Sequence, residues 1–309
     1  MRKSMAKSRK KNKKLGKGGR IALVLCAAAM IALGAYLGYA ALNANIVRVR
    51  RAEVALPDLP AAFEGTTILY ASDVDLCGLN TAKKCGALFA QLQSLSPDLL
   101  ILGGDYTSAS LLEILNSPEG NPKNMERQLR ERSDFFHFIS DFRAPLGKYA
   151  IASPDDPEPQ ALAKCLLECN VHPLFNERTA IESGGETLWL AGICKTAAGL
   201  NSAGQTFSRD DCAVVAAYSP EVLPVLLTSE AKDGGQWADL VLCGHTHGGQ
   251  IRLFGRSVLQ LSRAERQYLS GWTVESGLPI LTTEGVGCEG ANLRIGTAPE
   301  VWMITLRRS

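Results

Sequence analysis

The chain has 309 residues, of which 46% are hydrophobic and 21% charged, and its formal net charge is +2. This length excludes a disulfide-stapled miniprotein and is enough to bury one large core or two smaller ones. The composition also excludes collagen-like, coiled-coil and disordered chains. Only four residues are histidines, which limits the imidazole groups available to any active site.

The small net charge conceals an uneven distribution along the chain. Residues 1–20 contain ten Lys and Arg residues and no acidic residue, so residues 21–309 carry a formal charge of −8. A basic block of this kind is typical of nucleic-acid contacts or of a nuclear address. The apolar segment that follows it favours a membrane instead, and we therefore expect no nucleic-acid partner.

Residues 21–42 form a run of 22 residues without a charge, rich in Ala, Leu and Ile. As a helix rising about 1.5 Å per residue it would be about 33 Å long, enough to span a bilayer core. The positive-inside rule places the basic tail in the cytoplasm and the rest of the chain outside. The alternative is a signal peptide, in which Gly38 and Ala40 would form a small-x-small cleavage site. The apolar run, however, exceeds the roughly 7–15 residues of a signal-peptide core.

Short apolar runs and amphipathic segments follow in chain order. The predicted strands are Arg48–Val54, Thr67–Ala71, Asp98–Leu102, Lys148–Ala152, Leu188–Ile193, Cys212–Tyr218, Asp239–Cys243, Pro279–Thr283 and Glu300–Leu306. The predicted helices are Thr81–Leu95, most of residues 111–142 with a loop at 117–123, and Pro159–Cys169. Strands that alternate with helices early and predominate late indicate an α/β fold with mixed sheets. The predicted organisation is a basic tail (1–20), an anchor (21–44), a linker with an edge strand (45–64) and one domain (65–309).

Polar side chains follow several of the predicted strands. Asp73 and Asp75 come after one strand, Asp105 after the next, and His245 and His247 after a later one. Residues two apart in an extended chain point to the same side, and α/β sheets bind ligands at the carboxyl ends of their strands. Three carboxylates and two imidazoles favour a divalent cation such as Mn, Fe or Zn. A single Asp at such a position is more often a turn former, whereas two imidazoles and three glycines within residues 244–250 suit no ordinary turn.

This set of motifs resembles the calcineurin-like metallophosphoesterases, in particular their membrane-anchored bacterial branch. That family carries D-x-H, G-D, G-N-H-D, a strand-end His and G-H-x-H in this order, and the resemblance covers residues 48–309. It implies a sandwich of two mixed β-sheets flanked by helices, with two metal ions at the edge of the sheets. The motif positions that this chain retains are Asp73, Asp105, His245 and His247.

The chain departs from the family pattern at three motifs. Asp75 replaces the His of the first motif, Pro154 and Asp155 replace the Asn and His of the third, and Tyr218 replaces the strand-end His. Pro154 has no side-chain donor, and a Tyr hydroxyl with an ordinary pKa near 10 is a poor ligand. Asp155 stands where the family has its catalytic general acid, and an ionised carboxylate there would repel a phosphoester.

The resemblance therefore implies that the first metal site is kept and the second is altered. The first ion would be held by Asp73, Asp75, Asp105 and His247. The second would be held by Asp105 and His245, because the other two ligand positions are occupied by Pro154 and Tyr218. We accordingly expect one divalent ion rather than two. The alternative is a rebuilt pair in which Asp155 or Asp156 joins His245 as a ligand.

Two functions stay open at this point. One is a membrane-anchored extracytoplasmic phosphoesterase acting on a phosphorylated small molecule or lipid, at a rate reduced by the altered second site. The other is a catalytically inactive pseudo-phosphoesterase that serves as a binding or regulatory module, because fold alone does not decide function. His137 and His172 lie outside the motif positions, and we expect both to be structural.

Overall fold

A computed structural model describes residues 16–116, 122–154, 156–194 and 203–309. The chain divides into two units, Met1–Ala40 and Ala41–Ser309. Helix α1 (Lys17–Asn43) has 27 residues and is long and apolar enough, by length and composition, to cross a membrane. It covers the segment that the sequence predicts as the anchor.

The strands of the second unit agree closely with the predicted ones, with additions. Those described are β1 (Arg48–Leu56), β2 (Thr67–Ala71), β3 (Leu99–Leu102), β4 (Lys148–Ala150), β5 (His172–Pro173), β6 (Arg178–Ser183), β7 (Glu186–Ile193), β8 (Ala213–Ala217), β9 (Leu240–Cys243), β10 (Arg252–Leu253), β11 (Arg256–Ser257), β12 (Gly271–Glu275), β13 (Leu278–Thr282) and β14 (Glu300–Arg308). The nine predicted strands are all present. Five further strands, β5, β6, β10, β11 and β12, were not predicted from the sequence.

The strands form two six-stranded mixed sheets and one small hairpin. The first sheet has the order β1-β14-β2-β3-β4-β5, and only β14 and β2 run antiparallel within it. The second has the order β12-β13-β9-β8-β7-β6, with antiparallel pairs at both edges. Strand β1 lies at an edge of its sheet, as its alternating sequence predicts, and β10 pairs with β11.

The helices of the second unit that the structure describes are α2 (Ala82–Leu92), α3 (Leu111–Asn116), α4 (Pro122–Ser140), α5 (Pro159–Glu168), α6 (Leu223–Leu226) and α7 (Arg263–Gln267). Helix α2 begins where the Thr81 side chain accepts a hydrogen bond from Lys84 N, which satisfies one of the free amides of the first turn. Phe89 of α2 packs edge-on against Phe135 of α4, with 5.6 Å between ring centroids.

Successive residues of β8 face opposite sides of the second sheet and belong to two different hydrophobic cores. Val214 and Ala216 of β8 belong to the core that also contains Ile68 and Leu100 of the first sheet. Their neighbour Val215 faces the opposite side, where it packs in a second core with Trp237. The predicted sandwich of two mixed sheets flanked by helices is therefore confirmed, and apolar burial on both faces of β8 accounts for its unbroken apolar sequence.

Candidate metal centre and active site

The first two motif loops lie side by side because β2 and β3 are parallel neighbours. Asp73 N donates to Gly104 O at 3.1 Å, and Asp75 N donates to Asp105 O at 2.9 Å. These backbone bonds extend the pairing of the strands past their carboxyl ends. The three aspartates that the sequence analysis singled out are thereby brought to one edge of the first sheet.

The histidine loop reaches the same place from the second sheet. His245 N donates to Asp73 Oδ1 at 2.8 Å, directly after β9 ends. A Cβ at Gly244 would collide with the side chain of Ser72 and lie 3.0 Å from Asp73 Oδ1. The close approach of the two loops therefore requires glycine at position 244.

All five predicted ligands have a left-handed backbone. The φ angles are 54° at Asp73, 47° at Asp75, 49° at Asp105, 73° at His245 and 51° at His247. Such angles are uncommon outside glycine and cost on the order of 1–3 kcal/mol each. The expectation that the two aspartates of the first motif, and likewise the two histidines, lie in extended chain was therefore wrong. Tight turns orient these side chains instead. Strain of this kind is concentrated at functional sites.

His245 is surrounded by three polar side chains. Its Nδ1 lies 2.6 Å from the Tyr218 hydroxyl and 3.4 Å from Asp105 Oδ2, and its Nε2 lies 3.2 Å from Glu265 Oε1. Burial opposes the charged form of the ring, but the hydrogen bonds to Asp105 and Glu265 outweigh it and raise the pKa of His245 to about 11. In the metal-free protein the imidazole is thus a partly buried cation between two carboxylates.

Glu265 lies in the candidate site but was not predicted from the sequence. It belongs to a capping box at the start of α7, in which Ser262 and Glu265 exchange hydrogen bonds with each other's backbone. Burial raises its pKa, yet the bonds from His245 and Ser262 N prevail and lower the pKa to about 2. The S-x-x-E pattern was available as a helix-start signal, but nothing local indicated that the carboxylate reaches His245.

His247 is held by a buried arginine. Arg294 is fully buried, and its Nη2 lies 3.2 Å from His247 Nδ1 while its Nη1 donates to His247 O at 2.7 Å. Because arginine can only donate, Nδ1 must accept, and a neutral ring then carries its proton on Nε2. Burial and the charge of Arg294 lower the pKa of His247 well below its usual value, so the ring is neutral. A metal ion at Nε2 requires this proton to leave.

Two carboxylate oxygens at the site are orphaned. Asp73 Oδ2 and Asp75 Oδ2 are buried and have no hydrogen-bond partner within the described part of the chain; Asp75 Oδ2 lies 3.4 Å from His247 Nε2 without forming a hydrogen bond. Burial and the charge of Asp105 raise the pKa of Asp73 to about 7. Buried carboxylates without partners are costly, and a divalent cation would relieve that cost, so the donor chemistry fits a metal ion.

The side chains are nevertheless not gathered around a single point. Among the residues that the structure describes, no group of three or more His, Cys, Asp and Glu side chains is placed to hold a metal ion. The contacts occur in pairs instead, His247 with Asp75 and His245 with Asp105. The ligand set of Asp73, Asp75, Asp105, His245 and His247 therefore stays a prediction.

Of the two aspartates of the third motif, Asp155 lies outside the described residues. Asp156 accepts from Ser153 N at 2.8 Å and from Tyr106 N at 3.3 Å, so both of its oxygens serve the backbone rather than His245. Burial raises the pKa of Asp156 to about 7. His137 contacts Ser133 O at 2.7 Å and His172 stacks on a tyrosine ring.

The site opens into a cavity of about 260 Å³. Its walls combine the motif residues Asp75, Asp105, Tyr218, His245 and His247 with Thr107, Ser108, Ala109, Ile114, Gln128 and Glu289. Acidic and imidazole groups thus face a space that is large enough for a phosphoryl group with part of its ester.

No family model matches the chain, but several curated proteins do. It is 28% identical over 221 residues to the phosphodiesterase YaeI of Escherichia coli, which covers 68% of this chain and 70% of that protein. It is 24% identical over 292 residues to the uncharacterized metallophosphoesterase YkuE of Bacillus subtilis, covering 92% and 93%. A bovine transmembrane protein with a metallophosphoesterase domain is 24% identical over 278 residues, covering 84% of this chain and 57% of that protein.

Solved structures give weaker likenesses. The phosphopantetheinyl hydrolase of Mycobacterium tuberculosis superposes with a TM-score of 0.35 and 12% identity, covering 73% of this chain and 90% of that one. The names of the curated relatives support the calcineurin-like metallophosphoesterase family, which the motifs predict. Members of this family use divalent metal ions.

Proposed function

We propose that this protein is a membrane-anchored metallophosphoesterase that binds one divalent cation, Mn, Fe or Zn, and acts outside the cytoplasm. The observation that carries the proposal is that the loops bearing Asp73, Asp75, Asp105 and His247 meet at the carboxyl ends of strands from both sheets. Two orphaned carboxylate oxygens support it further. The substrate class is a phosphoester, carried by a small molecule or a lipid.

In this proposal the four first-site residues hold the cation beside the cavity. Such an ion supplies a Lewis acid for a phosphoryl oxygen and lowers the pKa of water. Asp73 and Asp105 are oriented by backbone bonds between their loops, and Ser72 Oγ and His245 N both donate to Asp73 Oδ1. This network leaves Asp73 Oδ2 as the oxygen that is available to the ion.

A second candidate, the pseudo-phosphoesterase, is favoured by one specific observation. His245, the only imidazole of the altered second site, is already engaged by Tyr218, Asp105 and Glu265. An imidazole held in this way contributes a fixed positive charge without needing a second ion. If that charge does not replace the second metal, the protein binds its ligand without turnover.

The topology forms part of the proposal. Residues 1–20 form a cytoplasmic basic tail, 21–44 the anchor, 45–64 a linker with the edge strand, and 65–309 the extracytoplasmic domain. The charge asymmetry around the apolar helix supports this orientation. Protease added to right-side-out membrane vesicles should digest the domain and spare an N-terminal tag; a protected domain would reverse the orientation.

The experiment for the metal site uses the full chain purified in detergent. After chelation, the protein is supplied with Mn²⁺, Fe²⁺ or Zn²⁺, and bound metal is counted together with hydrolysis of bis-p-nitrophenyl phosphate. We expect one ion per chain and metal-dependent hydrolysis. Asp75→Asn should reduce both, whereas the matched control Asp134→Asn, an exposed carboxylate on α4, should change neither.

Each outcome separates the candidates. Failure to bind any of the three metals would contradict the ligand assignment. Binding of one ion without hydrolysis would establish the pseudo-phosphoesterase, and a gain of activity on restoring Pro154→Asn, Asp155→His and Tyr218→His together would locate the defect in the second site.

A further inference from the structure

Helix α3 exposes apolar side chains next to the candidate active site. Leu111 is 48% exposed, Leu112 71% and Leu115 68%, and the loop residue Leu79 is 71% exposed. Single exposed leucines are ordinary on protein surfaces, but several of them in one region mark an interaction surface. We call Leu79, Leu111, Leu112 and Leu115 the leucine patch.

The two parts of the patch are neighbours in space. A Cβ built on Gly78, the residue before Leu79, lies 3.9 Å from Ser110 Cβ, directly before α3. Ser110 is held in place because its N and Oγ both donate to Glu113 Oε2, at 2.8 and 2.9 Å. The exposed leucines of the loop and of the helix therefore belong to one surface.

The patch lies beside the point where the chain leaves α1. Asn80, directly after Leu79, lines a cavity of about 310 Å³ together with Ala44 and Asn45, the residues that follow the helix. Lys84 Nζ also donates to Asn45 Oδ1 at 2.6 Å. Leu79 of the leucine patch therefore lies next to residues that contact the segment directly after the apolar helix.

The same helix borders the candidate active site. Ile114 of α3 lines the cavity that contains Asp75 and His245, while Leu112 and Leu115 point to solvent. One short helix therefore separates the cavity from the leucine patch. Whatever covers the patch lies at the rim of the cavity.

We propose that the leucine patch lies in the interface of the lipid bilayer, at the boundary of headgroups and acyl chains. The inference rests on the proposed membrane anchor, since α1 would hold the patch beside the membrane at all times. Apolar side chains that are tethered at a bilayer surface gain free energy by entering its interface. The candidate active site then opens at the membrane surface, where phosphoesters carried on lipids are within reach.

The test uses tryptophan substitutions in the full chain, reconstituted into phosphatidylcholine and phosphatidylglycerol vesicles with or without brominated acyl chains. Leu112→Trp is the test variant, and Leu115→Trp is its replacement if the first does not fold. Leu33→Trp in α1 reports whether the anchor is inserted. Leu167→Trp, at a 59% exposed position of α5, is the matched negative control, because α5 leads into β5 at the edge of the first sheet opposite β1.

We expect brominated lipid to quench the added emission of Leu112→Trp and Leu33→Trp and to leave that of Leu167→Trp unchanged, after subtraction of the native tryptophan signal. Quenching at position 33 but not at position 112 would overturn the patch proposal alone. Absence of quenching at both positions would overturn the anchor as well. A blue-shifted but unquenched Leu112→Trp would mean that a second copy or another protein covers the patch, which also overturns the proposal.

Discussion

The carboxylate of Glu265 has three partners, and the substitution Glu265→Gln separates the contacts of Oε1 from that of Oε2. Oε1 lies 3.2 Å from His245 Nε2 and accepts from Ser219 Oγ at 3.3 Å, and Oε2 accepts from Ser262 N at 2.6 Å. The Ser219 hydroxyl can also accept, so it tolerates an amide nitrogen at this place, whereas the N–H of His245 does not. A glutamine keeps the contact with Ser262 through its amide oxygen, because Glu and Gln both serve in capping boxes. Its amide nitrogen then faces the N–H of His245, and neither group can accept.

The expected cost follows from the contact that is lost. A hydrogen bond to a charged group contributes about 1.5–3 kcal/mol. The Glu265 side chain is only 6% exposed, but that of His245 is 34% exposed, so water screens part of the attraction. We therefore expect a loss of about 2 kcal/mol, which corresponds to a fall of about 4–8 °C in Tm for a domain of this size.

The assay is thermal unfolding of the metal-free full chain in detergent. Ser262→Ala serves as the matched control, since it removes the side-chain cap of α7, at about 1 kcal/mol, and leaves the His245 contact in place. A double-mutant cycle of Glu265→Gln with His245→Gln isolates the pairwise energy. We expect a coupling energy of about 1–2 kcal/mol from this contact.

A coupling energy indistinguishable from zero would refute the reasoning. The carboxylate would then serve the helix start and Ser219, and the position of His245 would be set by its other contacts, with Tyr218, Asp105 and Asp73. A Glu265→Gln variant as stable as the unsubstituted protein would lead to the same conclusion.

Two further predictions concern residues away from His245. Burial raises the pKa of Asp239 from 3.8 to about 7, so the contribution of this residue to stability falls as the pH rises from about 4 to 7. Asp239→Asn should therefore be more stable than the unsubstituted chain at pH 8, by up to about 4 kcal/mol, and this advantage should shrink toward pH 4. Urea unfolding measures the difference, and a difference that does not change with pH would contradict the raised pKa. Gly244→Ala places a Cβ against Ser72 and should lower the free energy of unfolding by about 1–3 kcal/mol. The control Gly18→Ala, at a position where nothing lies within 4 Å, should not lower it. Equal stabilities of the two variants would show that the loops bearing Ser72 and Gly244 can move apart.

Most of the fold could be predicted from local patterns. The apolar runs that became β2, β3 and β9 are each bounded by polar or glycine residues, and burial on both faces makes such strands recognisable without any partner. The strands that were missed have weaker patterns. In β6 only Ile181 is fully buried, and the Gly184-Gly185 turn that joins β6 to β7 was the available hairpin signal.

The candidate site could be predicted in part. Asp73, Asp105 and His247 stand at strand ends in the order of the family motifs, so their approach to one another followed from the α/β pattern. Glu265 carried only a helix-start signal, and Arg294 carried no local signal of a role at this site. Neither position indicated a contact with a histidine.

The sequence by itself determined the apolar helix, most of the strands and helices in their order, the resemblance to the family, and the replacement of four residues at three motifs. These features depend on the residue types of one short segment at a time, which repeat with the period of a strand or a helix. Only the tertiary structure decided that Glu265 reaches His245, that Arg294 reaches the ring of His247, and that the five predicted ligands adopt left-handed turns. The two contacts join segments that are far apart in the sequence, and their distances depend on how loops and helices pack rather than on the spacing of residues along the chain.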